Sequence, residues 1–203
     1  LIGNPNSGKT AMAEILSGAL AFSSGHVRLA GREYRQVSLK QARQNGVCLV
    51  SDIPKVFPQL TVAESLLSGE SVWRRALRPW RRQLREMREW LAREELDLPL
   101  TRTLDSLPEE DWTFVEIVGR LYREPRVLIL DEALEGLTQS RRKPLMRLLR
   151  RQMAAGLSVL WNTHKIEEAM LVADRLSVVR DGTILLSSRP EGLDHLNLIR
   201  LCY

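Results

Sequence analysis

Gly3-Asn4-Pro5-Asn6-Ser7-Gly8-Lys9-Thr10 places two glycines five residues apart and follows the second with Lys-Thr. Glycines at those positions let the backbone curl, so that successive N–H groups point into one anion-sized hollow. Met12, Ile15, Leu16 and Ala19 then recur at helical spacing. The loop therefore opens a helix, whose positive end adds to the hollow. In this pattern Lys9 reaches the β- and γ-phosphates of a nucleotide and the Thr10 hydroxyl ligates Mg²⁺. The competing reading is a glycine turn before a helix. Strand-like residues before the loop and helical ones after it favour the phosphate site, with Gly3, Asn4, Pro5, Asn6, Ser7, Gly8, Lys9 and Thr10 as its residues.

Outward from the loop, strands and helices alternate. Val27–Ala30, Val47–Val50, Arg126–Leu130 and Val159–Trp161 read as strands. Helices are expected over Ala11–Leu20, Leu39–Gln44, Trp73–Leu96 with an interruption near Pro79, Pro108–Tyr122, Lys143–Ala155 and Glu167–Ala173. Thr61 with Glu64 has the spacing of a capping box. Asp181-Gly182 between Leu176–Val179 and Thr183–Leu186 signals a hairpin. Leu1-Ile2-Gly3 resembles a strand end but is too short to count as a useful strand. Such alternation implies an α/β fold, and with the Gly3–Thr10 loop one of the P-loop NTPase kind. It predicts a mostly parallel sheet flanked by helices, with a helical subdomain inserted over residues 61–122 of a single domain spanning 1–203.

Composition narrows the function classes. The chain has 203 residues, 44% hydrophobic and 27% charged, enough for one domain with a real core. No stretch approaches the ~18 to 20 apolar residues of a membrane-spanning helix. Two cysteines exclude a disulfide scaffold or a cysteine-rich zinc site, and Cys48 reads as a small core residue. The net charge of +5 admits nucleic acid or anionic lipid as partners. Arginines and tryptophans do interleave over Trp73–Arg93, but Glu86, Glu89, Glu94 and Glu95 compensate them. The stretch reads as a solvated helical face, and no nucleic-acid partner is expected. The chain opens on Leu1 with no signal peptide, so it is expected to be part of a longer polypeptide.

Two further features sit where strands emerge. Val127-Leu128-Ile129-Leu130 runs into Asp131-Glu132, and the strand through Trp161 runs into Asn162-Thr163-His164. Ligands of open α/β sheets bind at the carboxyl ends of strands. There Asp131 could hold Mg²⁺ and Glu132 could polarise the water that attacks a γ-phosphate. His164 could donate a hydrogen bond to that phosphate. A polar strand end and an exposed histidine are the plain alternatives.

The order of these motifs resembles that of an ATP-binding-cassette (ABC) ATPase domain over nearly the whole chain. Ile15-Leu16-Ser17-Gly18, Asn45-Gly46-Val47, Phe57 to Ser65, Val115-Glu116-Ile117, Leu137-Thr138 and Leu198-Ile199-Arg200 are similar to stretches of the monosaccharide-importer branch. The resemblance implies ATP and Mg²⁺ as cofactors. It makes Gly3–Thr10 the Walker A loop, Asp131 the Walker B aspartate, Glu132 the catalytic base and His164 the switch histidine. It also makes Leu134–Thr138 the loop that meets a facing domain, and puts the adenine-stacking aromatic upstream of Leu1. Transmembrane permease subunits and a second ATPase domain, fused or separate, are the implied partners, at the cytoplasmic face of the membrane.

Two departures qualify that likeness. Asp52 takes the place of the Q-loop glutamine, where its carboxylate could still ligate Mg²⁺. The family signature, Leu-Ser-Gly-Gly-Gln or close to it, is replaced by Leu107-Pro108-Glu109-Glu110-Asp111. Pro108 has neither hydroxyl nor N–H, and three carboxylates would repel a triphosphate. Ala133 follows Glu132 where the family usually has proline. The expected protein is thus an ATP-binding and ATP-hydrolysing transporter subunit, of a sugar-type importer by resemblance, working as one half of an asymmetric pair whose other half carries the intact signature. The alternative is a degenerate cassette that binds ATP as a regulatory or structural module with little hydrolysis. A cassette protein acting on nucleic acid or ribosomes, motivated by charge alone, stands third.

Overall fold

The computed structural model of the chain describes residues 1–68 and 78–202. The helix expected to start at Trp73 therefore lies partly outside the described residues. The chain divides into two compact units. One comprises Leu1–Leu49, Arg126–Glu132 and Ser158–Tyr203; the other comprises Val50–Pro125 and Ala133–Leu157.

The first unit carries the sheet. Three strands, β3 (Val47–Ser51), β4 (Val127–Asp131) and β5 (Ser158–Asn162), lie in that spatial order, with β4 and β5 parallel and Asp131 opposite Asn162. β4 is apolar throughout and Leu128, Ile129 and Leu130 are fully buried, as a central parallel strand requires. The amino-terminal residues extend this sheet. Ile2 forms parallel bridges to Thr163 on one side and Val178 on the other. Its N–H donates to the Ser177 carbonyl at 2.9 Å and its carbonyl accepts from Val179 N–H at 2.8 Å. Three residues too short for a strand alone are thus held by neighbours on both sides, because backbone polar groups in the interior must be paired.

Beyond Ile2 lie β6 (Leu176–Arg180) and β7 (Thr183–Ser188), an antiparallel hairpin turning through Asp181-Gly182 at φ 49° and 75°. Those positive angles are what the Asp-Gly pair supplies at a tight hairpin. A second hairpin, β1 (Val27–Leu29) and β2 (Arg32–Tyr34), turns at Ala30-Gly31. Its second strand, Arg-Glu-Tyr, has no apolar alternation to announce it.

Helix α1 (Lys9–Ser17) is shorter than its apolar spacing suggests. Gly18 ends it in the left-handed conformation, where a Cβ would stand 2.5 Å from the Ser38 carbonyl carbon. Helix α2 (Leu39–Gln44) starts on Ser38 with a full capping box. Ala13, Val37, Ala42, Val47 and Ile129 form the core on this side of the unit. On the other, Ile2, Leu176 and Val178 pack with Ile166 and Ala169 of α7 (Ile166–Val172) and Leu198 and Cys202 of α8 (His195–Cys202). Cys48 is half-buried rather than a fully enclosed core residue, because its strand's inner positions are Val47 and Val50.

The second unit is helical, with α3 (Val62–Leu66), α4 (Trp80–Arg93), a short 3₁₀ turn (Leu104–Ser106), α5 (Glu110–Leu121) and α6 (Gln139–Ala154). Thr61 and Glu64 make the expected capping box: Glu64 N–H donates to Thr61 Oγ1 at 3.2 Å and Thr61 N–H to Glu64 Oε2 at 2.8 Å. Such a cap is worth about 1 kcal/mol. α5 buries Phe114, Val115, Ile117, Val118 and Leu121, and Gly119 lets α3 approach closely: a Cβ there would sit 3.1 Å from Leu66 Cα. α6 begins at Gln139, four residues before the expected start at Lys143. Pro144 lies inside it, at the cost of one helical hydrogen bond. Two arginines of α4 are paired along its surface, Arg82 with Glu86 at 2.9 Å and Arg85 with Glu89 at 3.8 Å. Among the described residues no helix is long and apolar enough to cross a membrane.

Candidate functional site

The loop from Gly3 to Thr10 leaves the sheet between β5 and β6. Gly3 has φ 156° and its backbone lies against the Val179 carbonyl; a Cβ would stand 2.2 Å from that oxygen. Gly8 has φ 103° and caps α1 with no side-chain hydrogen bond. The first intrahelical bond beyond it is Met12 N–H to the Gly8 carbonyl at 3.0 Å. The α1 terminus thus carries no capping side chain and no acidic residue in its first turn, which suits it to an anion. The β6–β7 hairpin braces the loop from outside, where Gly182 N–H donates to the Ser7 carbonyl at 2.8 Å. Nothing in residues 176–188 singled that brace out from sequence.

Within the loop, Lys9 is buried and its Nζ donates to the carbonyls of Gly3 at 2.8 Å and Asn4 at 2.7 Å and to Ser7 Oγ at 3.3 Å. The ammonium is held at the loop's centre by the residues the sequence pattern groups with it. Asn4 Oδ1 is buried with no hydrogen-bond partner among the described residues. Pro5, Asn6 and Thr10 are exposed, Asn6 at φ 65°.

Asp131 ends β4 and is buried. Its Oδ1 accepts from Asn162 Nδ2 at 2.8 Å, and the same amide donates to the Lys9 carbonyl at 2.9 Å. One side chain therefore joins the acidic strand end to the first residue of α1, beside Thr10. Asn162 is fully buried. Sequence reading passed over it as the residue before Thr163-His164, and its only signal was an amide in an otherwise apolar strand.

Glu132 sits at φ 54°, an arrangement that costs a non-glycine residue about 1–3 kcal/mol. Its N–H is anchored on the Asn162 carbonyl at 3.0 Å. Its Oε1 lies 3.9 Å from His164 Nδ1, with the two side chains 33% and 42% exposed. That separation is too long for a direct hydrogen bond. A carboxylate beside an imidazole at a strand end can orient water or donate to an anion.

Asp52 belongs to the other unit, exposed at the end of β3, where its Oδ1 accepts from Ile53 N–H at 2.8 Å. In that unit the segment Leu107–Asp111 departs from the expected picture of three facing carboxylates. Glu109 and Glu110 are exposed at the start of α5. Asp111 is instead turned inward and clasped by Arg141, with Nε–Oδ1 and Nη2–Oδ2 both 2.7 Å. The Asp111 carboxylate holds the Arg141 guanidinium above its ordinary basicity.

The Mg²⁺ implied by the loop pattern fits the donor set of the first unit. Asp131 offers a buried carboxylate with one oxygen paired to a neutral amide, and Thr10 offers an exposed hydroxyl one residue after the carbonyl that this amide also holds. Oxygen ligands of this kind suit a small hard cation.

The ABC transporter family model matches residues 1–135. The chain is 31% identical over 199 residues to an autoinducer 2 import ATP-binding protein of Enterobacter sp. strain 638, covering 98% of this chain and 39% of that one. It is 28% identical over 201 residues to a xylose import ATP-binding protein of Geobacillus kaustophilus, covering 98% and 40%. A ribose import ATP-binding protein of Rhodopirellula baltica is 28% identical over 202 residues, covering 99% and 40%. The chain thus spans about two fifths of the length of these relatives. Among solved structures, an ATP-binding cassette of an ABC transporter in its ADP conformation superposes with a TM-score of 0.79 at 20% identity, covering 98% of this chain and 85% of that one. A nucleotide-free cassette gives 0.77 at 20% identity, covering 98% and 81%.

Proposed function

Because the chain belongs to the ABC transporter family, we propose that it is an ATP-binding and ATP-hydrolysing domain that drives a membrane importer of sugar-like solutes. The observation that carries this reading is the Lys9 ammonium drawn onto the Gly3 and Asn4 carbonyls, with Asp131 tied to the same helix start through Asn162.

The loop amides and the α1 terminus bind the phosphates of ATP, and Lys9 neutralises their charge. Thr10 and Asp131 would hold Mg²⁺, which would supply charge neutralisation to the triphosphate. Glu132 accepts a hydrogen bond from the attacking water and takes up its proton. His164 donates to the γ-phosphate and stabilises its developing charge.

In this reading the domain works beside a second cassette, fused or separate, that supplies an intact signature to the ATP bound here. Transmembrane permease subunits carry the solute, and the pair sits at the cytoplasmic face of the membrane. The similarity to import proteins for xylose, ribose and autoinducer 2 supports a small polar solute.

A second reading is favoured by one segment. Pro108, Glu109 and Glu110 offer an anion no side-chain donor, so the site completed by this chain's own Leu107–Asp111 would be silent. The domain would then bind ATP chiefly as a regulatory half. Purified protein tests both readings. Nucleotide-dependent thermal stabilisation that Lys9→Ala abolishes supports ATP binding. Turnover by the assembled pair that Glu132→Gln abolishes supports hydrolysis at this site, and turnover unaffected by that change assigns the domain to the regulatory reading.

A further inference from the structure

Asn162 links both residues of the acidic strand end to the start of α1. Its Nδ2 donates to Asp131 Oδ1 at 2.8 Å and to the Lys9 carbonyl at 2.9 Å, and its own carbonyl accepts from Glu132 N–H at 3.0 Å. Both partners of the side chain are acceptors, so only the NH₂ end of the amide can face them. The orientation follows from chemistry alone. The other end, Oδ1, is buried with no partner among the described residues. A leucine would fill such an interior position without leaving any polar atom unpaired in its own side chain. The chain instead buries an amide and leaves half of it unsatisfied. The two donated bonds are what that arrangement secures.

We propose that Asn162 is a positioning residue for the metal carboxylate: it clamps Asp131 Oδ1 to the Lys9 carbonyl and so leaves Oδ2 as the oxygen through which Asp131 holds Mg²⁺. This rests on the ATP-binding reading above. A neutral amide suits the task better than an arginine or lysine, which would compete with the cation for the carboxylate's charge. Asn162 also fixes the Glu132 backbone in its left-handed conformation. The clamp thereby sets the spacing between the metal carboxylate and the general base.

The test is a Mg²⁺ titration of the full chain with a fluorescent ATP analogue, starting in EDTA. Asn162→Leu should bind the metal-free nucleotide within about twofold of the natural protein, while the Mg²⁺ concentration at half-effect rises about tenfold or more. Asn162→Ala serves where leucine overfills the site. An unchanged Mg²⁺ half-point overturns the clamp. So does an equal loss of metal-free and metal-bound affinity, which would mark the residue as packing only. The natural protein gives an independent reading by NMR with selectively labelled asparagine. The Asn162 NH₂ protons should exchange slowly with solvent in EDTA, and fast exchange overturns the clamp. Absence of nucleotide binding in the natural protein would overturn the ATP-binding reading, and the metal role with it, whereas a normal titration with an unaltered variant would overturn the clamp alone.

Discussion

Arg141 grips Asp111 through two parallel hydrogen bonds of 2.7 Å and at the same time lies 5.1 Å above the Phe114 ring. Its Nη1 also donates to the Asp97 carbonyl at 3.1 Å. A residue that the family resemblance would align with the end of the nucleotide signature is thus part of the helical unit's interior. A planar fork fits a carboxylate and stacks on an aromatic ring as an ammonium cannot. Arg141→Ala should lower the stability of the protein by about 2 kcal/mol in urea melts, because it strands a largely buried carboxylate. Arg141→Lys should recover only part of that loss.

With Asp111 committed to Arg141, the exposed obstacles to an anion at the α5 start are Pro108, Glu109 and Glu110. Replacing these three by Ser, Gly and Gly, and leaving Asp111 in place, should raise ATP turnover in the assembled pair without changing the thermal midpoint by more than a few degrees. Turnover that stays flat in a folded variant would locate the impediment elsewhere.

The approach of Gly3 to the Val179 carbonyl leaves no room for a methyl group. Gly3→Ala should cost about 1–3 kcal/mol, from overpacking against backbone that cannot rotate away. Nucleotide affinity should fall with it, since the same displacement moves the carbonyls that hold Lys9. Thermal melts with and without ATP measure both. Gly182→Ala meets no neighbouring atom within 4 Å but keeps a positive φ. It should lower stability with little effect on ATP affinity.

Glu132→Gln should reduce turnover by about 100-fold or more while leaving ATP affinity within a few-fold, the pattern of a lost general base. His164→Ala should reduce turnover as well, with Lys9-dependent binding intact. Single-turnover assays separate the two effects.

Glu167 and His195 join the starts of α7 and α8 at 2.8 Å. Hydrogen bonding, first from its own backbone amide and then from His195, holds the Glu167 carboxyl below its ordinary value. A depressed carboxylate contributes stability above its unfolded pKa and loses it as pH falls through the folded one. The thermal midpoints of the natural protein and Glu167→Gln should therefore differ slightly near neutral pH and converge on acidification below about pH 4.

The glycine loop that opens α1, the acidic end of β4, the Thr61–Glu64 cap and the Asp181-Gly182 hairpin were all legible because each depends on residues close in sequence. Local geometry dictates residue type there: glycine where φ is positive, a hydroxyl and a carboxylate three apart at a helix start, an apolar run for a buried parallel strand. Positions 73–77, on which the expected start of the arginine-rich helix falls, lie outside the described residues.

Other features became visible only in three dimensions. Ile2 is a sheet element because chain more than 160 residues away pairs with it: it bridges Thr163 and Val178, and its own hydrogen bonds run to Ser177 and Val179. Asn162 is a clamp because the strand register sets it opposite Asp131 and the loop brings the Lys9 carbonyl within 2.9 Å. Asp111 faces inward because Arg141, thirty residues on, is there to neutralise it. Sequence by itself determined the kind of chemistry, since that resides in short patterns of donors and acceptors. Tertiary structure decided which side chains hold those groups in place, since a buried polar atom takes whichever partner the folded chain brings to it.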